Sequence, residues 1–536
     1  MSEHPERAAT PAEAAEGELS LARIALAEQD FRHTATHLGN AIGCDPSHLP
    51  GYALIGELVD AVGGAGAAAE LFPLDRSAHV GTAAVRADLY ARAGEIRHAV
   101  GLLASITASA PEFPWAAAPW FAPDLAEVLP DRDVAEVAGK FIGDLGDPVP
   151  EELRAPLAPW LDLVRAMVAR PGTDPSMVTV MSGFARRLGA VDEAIGWCRT
   201  VAEQEAMAGA PTPIPLIMLG YAYRAAHQPE ETAAVWQRAL ALDPGNLELL
   251  IDLAELAIGA GDFDGALRWA RQAAALDPEH VKPIAVDLYA RYRRTVTDER
   301  VGDIGPLIDL ADLARTQPDQ PYPRVLLRSA CARVHWLNVV PAGTEGSESP
   351  SVATVPSASP IAAEKLYQTV QGYWRDPLDA YDRSVGLAGL DEAELLGLLA
   401  HVPPAPDHDP WPGLPDSSPA YWQRLAQAWT CVGILHLRTE QQWETSVRRG
   451  LLLRLLNGPE DGTVDAAAFA LCVSAWVFPR QRADVAEAIT RRYLVAARAV
   501  GERPAELRDP LAEVLLACPA VELRASRLAR DFRTLD

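Results

Sequence analysis

A chain of 536 residues with 49% hydrophobic and 22% charged residues can bury a large core, so we expect most of it to be ordered. Its formal net charge of -26, from 47 basic and 73 acidic side chains, argues against the basic surface that nucleic-acid binding requires. Arg, Asp or Pro interrupts every apolar run before it reaches membrane-spanning length, which argues against a membrane partner.

The N-terminus and the cysteines indicate a cytoplasmic protein. The N-terminal residues lack the basic flank and the apolar segment of a secretory signal. Cysteines that are widely separated and form no CxxC pair are typical of a reducing compartment. The Ala-, Arg- and Pro-rich composition is typical of a bacterial protein from a high-GC genome. The cysteines are Cys44, Cys198, Cys331, Cys431, Cys472 and Cys518.

The chain begins with a polar segment, 1–14, that we expect to be disordered because it has little to bury. Helical periodicity follows over 15–113 in three units of similar length. The first, 15–48, closes on Asp45-Pro46. The second, 49–79, is a few residues short, and the third, 80–113, closes on Pro111. These units predict stacked pairs of amphipathic helices.

The period fails over 114–174, which is rich in Pro and Trp at its start. Two segments with apolar spacing near 3.6 follow, and they predict two helices. They form either one heavily diverged unit or an inserted pair of helices. The period then resumes over 175–340, with capping helices expected beyond the last clear unit.

The clearest repeat lies within 213–280, where Asp243-Pro244 and Asp277-Pro278 are 34 residues apart. An Ala stands five residues before each of these prolines, at Ala239 and Ala273. Small residues at such positions let two helices cross closely, and the proline ends the second helix. Gly94, Gly189 and Gly261 fall between the helices of a pair, where we expect left-handed backbone.

The Ser-, Pro- and Gly-rich segment 341–363 predicts a flexible linker and a domain boundary. Apolar periodicity over 364–536 predicts a C-terminal all-helical domain, and we find no convincing strand pattern in it. We interpret its arginines as solvated helix faces. They are Arg448, Arg449, Arg454, Arg491, Arg492, Arg524, Arg527 and Arg530.

Residues 15–294 resemble the tetratricopeptide repeat (TPR) family. The resemblance implies an all-α fold, an α-solenoid of TPR-like helix-turn-helix repeats, here followed by a second, irregular helical array. In this chain His227 stands where the family has a turn glycine, and Thr232 where it has alanine. The matching positions are Leu219-Gly220, Tyr223, Trp236, Ala239 and Pro244 in one unit, and Leu253-Ala254, Gly261, Ala266, Ala273 and Pro278 in the next.

The resemblance implies a non-catalytic scaffold or regulatory adaptor that holds a protein or peptide segment in a concave groove. Family members that bind acidic chaperone tails need basic residues on the first helices, whereas acidic residues predominate here, so we expect a partner segment of basic character. A solvated helix face is the simpler reading of the same acids. The candidate groove residues are Ile217, Tyr221, Arg224, Glu248, Asp252, Glu255 and Lys282.

The sequence contains no HExxH, GxSxG or phosphate-binding loop, so we assign no catalytic, cofactor or metal residues. Asp407, His408 and Asp409 form a cluster in a Pro-rich loop, with His401 and His436 elsewhere, but their spacing does not match a metal site. An enzyme or enzyme subunit with its site in the C-terminal helical half is the alternative function. Self-association into a homo-oligomer also stays open.

Overall fold

The described residues of the computed structural model are helical apart from turns and one isolated bridge between Ala388 and Leu390. Consecutive helices form pairs, which confirms the predicted all-α fold class. The chain divides into two compact units, Met1–Leu249 and Leu250–Asp536. The structure describes residues 10–74, 79–296, 303–332, 355–370, 374–406, 419–458, 462–499 and 508–521.

The first unit consists of helices joined mostly by short turns, and the division between the units falls within α14, Leu247–Gly259. The preceding helices are α1 Pro11–Ala27, α2 Phe31–Cys44, α3 Leu49–Val62, α4 Ala65–Ala69, α5 Val80–Arg92, α6 Ile96–Ser109, α7 Leu125–Val128, α8 Asp131–Asp144, α9 Glu151–Ala169, α10 Pro175–Arg187, α11 Val191–Met207, α12 Pro213–Ala225 and α13 Pro229–Leu242.

Helix α1 begins at Pro11, inside the segment 1–14 for which we expected disorder. Thr10 and Glu13 form a capping box, in which each side chain accepts a hydrogen bond from the other residue's backbone N–H. The caps satisfy amides that the first helical turn leaves without partners. Local capping therefore extends the helix toward the N-terminus. Residues 1–9 lie outside the described part of the chain.

The turns between paired helices are left-handed, as predicted. Gly94, Gly189 and Gly261 have φ angles of 81°, 90° and 78°. His227 occupies the equivalent position with φ of 57°. The turn geometry is therefore kept where the glycine is replaced, although a side chain there is less favourable.

The second predicted unit, 49–79, departs from the regular pattern. Its second helix, α4, has only five residues. Helix α2 instead packs directly against α5. Their backbones meet at glycines, because a methyl group on Gly81 would overlap the backbone of Gly39 and Gly43. The close crossing depends on the absence of side chains there.

Both helices predicted within 114–174 are present, as α8 and α9. Helix α8 packs mainly against α10 rather than against α9. Phe141 of α8 lies 5.2 Å from both Trp160 of α9 and Phe184 of α10, measured between ring centres. The segment is thus built into the core of the first unit, with a packing arrangement unlike that of the pair α12 and α13.

The second unit surrounds α24, Gly462–Val477, which is buried along its whole length. An apolar helix of this kind needs neighbours on every side. The other helices are α15 Phe263–Leu276, α16 Val281–Thr295, α17 Gly305–Thr316, α18 Pro321–Cys331, α19 Pro360–Thr369, α20 Pro377–Ser384, α21 Glu392–Ala400, α22 Pro419–Ile434, α23 Val447–Leu456, α25 Arg482–Ala499 and α26 Arg508–Ala517.

One hydrophobic core runs through this unit from α16 to α26. Within it, Trp374 stacks on Phe469 with ring centres 4.4 Å apart and meets Trp429 edge-on at 5.5 Å. Helices before and after the predicted linker 341–363 therefore share a core, and the compact units divide at Leu249 instead. Helix α19 begins within the last residues of that segment, and the linker stays a prediction for 341–354, which are not described.

Candidate interaction site

The seven candidate groove residues lie on the first helices of successive pairs and fall into both compact units. The first unit contains the three on α12 and one on α14, while the second contains two on α14 and one on α16. They are Ile217, Tyr221, Arg224 and Glu248 in the first unit, and Asp252, Glu255 and Lys282 in the second.

The α12 candidates share one helix face because they are four and three residues apart. This face is supported by Trp236 of α13, which is fully buried. The Trp236 indole N–H donates to the Ile217 carbonyl at 3.1 Å, and its ring meets the Tyr221 ring edge-on at 5.2 Å. Ile217 and Tyr221 are half-buried and Arg224 is exposed.

A cluster of arginines surrounds Asp147 beside this face. Arg186 of α10 donates two hydrogen bonds to the Asp147 carboxylate, at 2.8 and 2.6 Å. The hydrogen bond from Arg186 lowers the pKa of Asp147, and the charges of Arg186, Arg187 and Arg224 act in the same direction. The Arg186 guanidinium also lies 5.8 Å from the centre of the Tyr221 ring, a cation–π distance.

This arrangement differs from the acidic surface expected from the sequence, because the surroundings of Tyr221 are rich in arginine. The sequence did not point to Arg186 or Asp147 as site residues, and they are 39 residues apart in the chain. The consecutive arginines at the end of α10 were a visible signal. Asp147, however, lies in a segment that matches no repeat, so sequence spacing could not pair it with them.

The acidic candidates on α14 have different environments. Glu248, Asp252 and Glu255 share one helix face, with Glu248 exposed and the other two half-buried. The Tyr322 hydroxyl of α18 donates a hydrogen bond to Glu255. Glu255 therefore helps to join two helices of the second unit.

Lys282 is half-buried in the first turn of α16. The helix is capped by His280, whose Nδ1 accepts a hydrogen bond from the Lys282 backbone N–H at 3.3 Å. The position of Lys282 is thus set by the helix start.

The histidines considered as ligands have structural contacts. His401 Nε2 lies 2.7 Å from the Val355 carbonyl oxygen, and His436 Nε2 lies 3.0 Å from that of Tyr381. Asp407, His408 and Asp409 are outside the described residues. Over the residues that are described, no group of three or more His, Cys, Asp or Glu side chains is placed to hold a metal ion.

Two of the arginines interpreted as solvated are buried instead. Arg448 is 7% exposed and Arg492 is 6% exposed. Arg492 Nε donates to the Leu456 carbonyl at 3.0 Å, so its guanidinium is used inside the second unit. Arg524, Arg527 and Arg530 lie outside the described ranges.

Comparison with known proteins identifies the repeats. Residues 223–291 match the sequence model of the tetratricopeptide repeat. We call this stretch the TPR segment because of that match. It spans the end of α12 to α16 and confirms the resemblance at the clearest repeats. No curated protein matches the chain. In the described part, no helix is long and apolar enough to cross a bilayer.

Two solved structures are similar to the chain at low identity. The first is the crystal structure of PilW, a widely conserved type IV pilus biogenesis factor, with 14% identity, 47% of this chain and 100% of that chain covered, and a TM-score of 0.28. The second is Naa15/Naa10 bound to HypK-THB, with 12% identity, 97% and 81% covered, and a TM-score of 0.24. At these values neither structure indicates a partner or an activity for this chain.

Proposed function

We propose that this protein is a non-catalytic interaction scaffold or adaptor whose TPR segment holds a segment of a protein partner. The observation that carries the proposal is the family match at 223–291 together with the helix pairs α12–α13 and α14–α15. Stacked helix pairs form extended surfaces that proteins use for binding.

The chemistry of α14 favours a partner segment of basic character. Glu248 and Asp252 are four residues apart on one face, and Glu248 is exposed. In a chain with a net charge of -26, two adjacent carboxylates attract Lys or Arg and repel acidic segments. Glu255, on the same helix, accepts a hydrogen bond from Tyr322.

A charge-reversal experiment on the full chain tests this surface. The test variant is Glu248→Lys/Asp252→Lys. The control is Glu230→Lys/Glu231→Lys, which makes the same change of charge at two exposed residues in the first turn of α13. Each tagged chain is purified from the native host, and the co-purifying proteins are quantified by mass spectrometry.

We expect at least one partner to be recovered equally with the wild type and with the control. Its recovery with the α14 variant should fall about tenfold or more, because placing like charges opposite a basic segment costs several kcal/mol. Equal recovery with all three chains would show that α14 does not contact the partner.

We also infer a reducing, cytoplasmic location. All six cysteines are free thiols, and five of them are buried. Buried, unpaired cysteines are typical of proteins that fold where disulfides do not form. Labelling the thiols in intact cells before lysis tests this, and a protein recovered with oxidised cysteines would contradict it.

A further inference from the structure

The second unit contains a cavity of about 750 Å³ at one end of α24. Its walls come from the ends of α17 and α24, the start of α23 and the turn before it, and the turn between α24 and α25. Cavities that hold small molecules in proteins are about 300–1,000 Å³, so the volume suits a ligand of metabolite size.

Three arginines and one glutamate line this cavity: Arg315, Arg448, Arg480 and Glu444. The local positive charge is unusual for a chain with a net charge of -26. Glu444 is exposed, and its carboxylate also interacts electrostatically with Arg449. The cavity is therefore a place where an anion is attracted although most of the protein repels it.

Two of these arginines retain binding capacity. Arg315 lies 3.8 Å from Asp312, which Arg482 already holds through hydrogen bonds of 2.9 and 2.7 Å. Arg480 is exposed and forms no ion pair with the residues that the structure describes. A guanidinium group that is not held by a close carboxylate can make bidentate contacts with the carboxylate or phosphate of a ligand.

The third arginine fixes the cavity wall. Arg448 donates to the carbonyl oxygens of Arg438 and Gln441 at 3.2 and 3.3 Å, and its guanidinium lies 6.0 Å from the centre of the Trp443 ring. These contacts hold the side chain in one position. A preformed wall lowers the ordering cost of binding.

The remaining wall offers mainly apolar contact. Val477 and Phe478 line the cavity where α24 ends. Gln481 also lines it, is 6% exposed, and has no hydrogen-bond partner for its Oε1 atom among the described residues.

Charge decides between a small anion and an acidic macromolecule. An acidic protein segment would bring many negative charges close to a chain that itself carries -26. A small ligand brings one or two charges, and repulsion from distant acids is screened beyond a Debye length of about 8 Å at physiological salt. The net charge thus favours the small molecule.

We propose that this cavity binds a small organic anion, whose carboxylate or phosphate contacts Arg315 and Arg480 and whose apolar body packs against Val477 and Phe478. The site lies outside the TPR segment, and it does not depend on the protein partner proposed above. A ligand here would give the scaffold a small-molecule binding site in its second unit.

Isothermal titration calorimetry on the full chain tests the proposal with three probes. Phenyl phosphate carries the phosphate, 3-phenylpropionate carries the carboxylate, and 3-phenylpropanol is the uncharged control. The test variants are Arg480→Gln and Arg315→Gln/Arg480→Gln. The control variant is Arg268→Gln/Arg491→Gln, which removes two exposed guanidinium charges elsewhere in the second unit.

We expect saturable binding of at least one anion and much weaker binding of 3-phenylpropanol. Arg315→Gln/Arg480→Gln should weaken anion binding by about tenfold or more, since hydrogen bonds to charged groups are worth about that factor. Arg480→Gln alone should weaken it severalfold, and the control variant should bind as the wild type does. Binding of only one anion would identify the preferred acidic group.

The proposal is overturned if neither anion binds saturably, if 3-phenylpropanol binds as tightly as the anions, or if the double variant at the cavity retains wild-type affinity. The melting temperature of each variant is measured alongside. Because Arg480 is exposed and forms no ion pair with described residues, Arg480→Gln gives a valid test even if the double variant is destabilised.

Discussion

At the residue scale, the TPR segment depends on the contact between Gly220 of α12 and Trp236 of α13. A methyl group on Gly220 would overlap the Trp236 indole, which is fully buried and cannot move away. We predict that Gly220→Ala destabilises the protein by about 1–3 kcal/mol through overpacking. Urea denaturation followed by circular dichroism measures this.

A second glycine supplies the control. Gly196 lies within α11, is exposed, and has no atom near the position of an added methyl group. Gly196→Ala should stabilise the protein by roughly 0.5–1 kcal/mol, because alanine is the better helix former. If both substitutions change the free energy of unfolding equally, steric overlap with Trp236 is not what requires glycine at position 220.

The sequence predicted the backbone conformation at some single positions but not the burial of others. The family pattern and local turn chemistry predicted left-handed backbone at Gly94, Gly189 and Gly261, and the observed φ angles agree. Such turns depend on a few neighbouring residues, so they can be read locally. The burial of Arg448 could not be read from its immediate neighbours, because it depends on carbonyl groups contributed by the turn after α22.

At the element scale, the joint between α18 and α20 rests on a buried carboxylate. Asp376 is fully buried and accepts hydrogen bonds from Arg324 and Arg328 of α18 at 3.3 and 3.2 Å. It also caps α20 by accepting from the Asp379 backbone N–H at 2.8 Å. This ties helices before and after the segment 341–363 into one unit.

We predict that Asp376→Asn lowers the free energy of unfolding by about 2 kcal/mol, because it weakens two hydrogen bonds from charged groups while asparagine keeps the helix cap. The matched control is Asp382→Asn. That carboxylate also accepts from Arg324, but it is 60% exposed, so its loss should cost no more than about 1 kcal/mol. Equal costs in urea denaturation would contradict a special role for the buried acid.

At the scale of the whole molecule, stability should fall in acid in two steps. Burial lowers the pKa of His436, whereas in the unfolded chain histidine titrates at about 6.5. Below that pH the unfolded chain binds a proton that the folded chain does not, so stability falls as pH decreases, by up to about 1.4 kcal/mol per pH unit. Urea denaturation at pH 7.5 and 5.5 measures this step.

The variant His436→Gln isolates that contribution, since glutamine can donate to the Tyr381 carbonyl but does not titrate. Its stability should change less between the two pH values than that of the wild type, and an identical change would rule His436 out. The second step occurs below about pH 4. Arginine hydrogen bonds lower the pKa of Asp147 and Asp484, so the stability these carboxylates contribute is lost as they are protonated.

The sequence by itself determined the all-α class, the helix pairs and the TPR segment, because helical periodicity, turn glycines and closing prolines are local signals. Only the tertiary structure decided which helices share a core and which charges meet. The core from α16 to α26, the contact of Arg186 with Asp147, and the cavity between Arg315 and Arg480 all join residues far apart in the chain. Such contacts follow from how helices pack, which residue spacing alone does not specify.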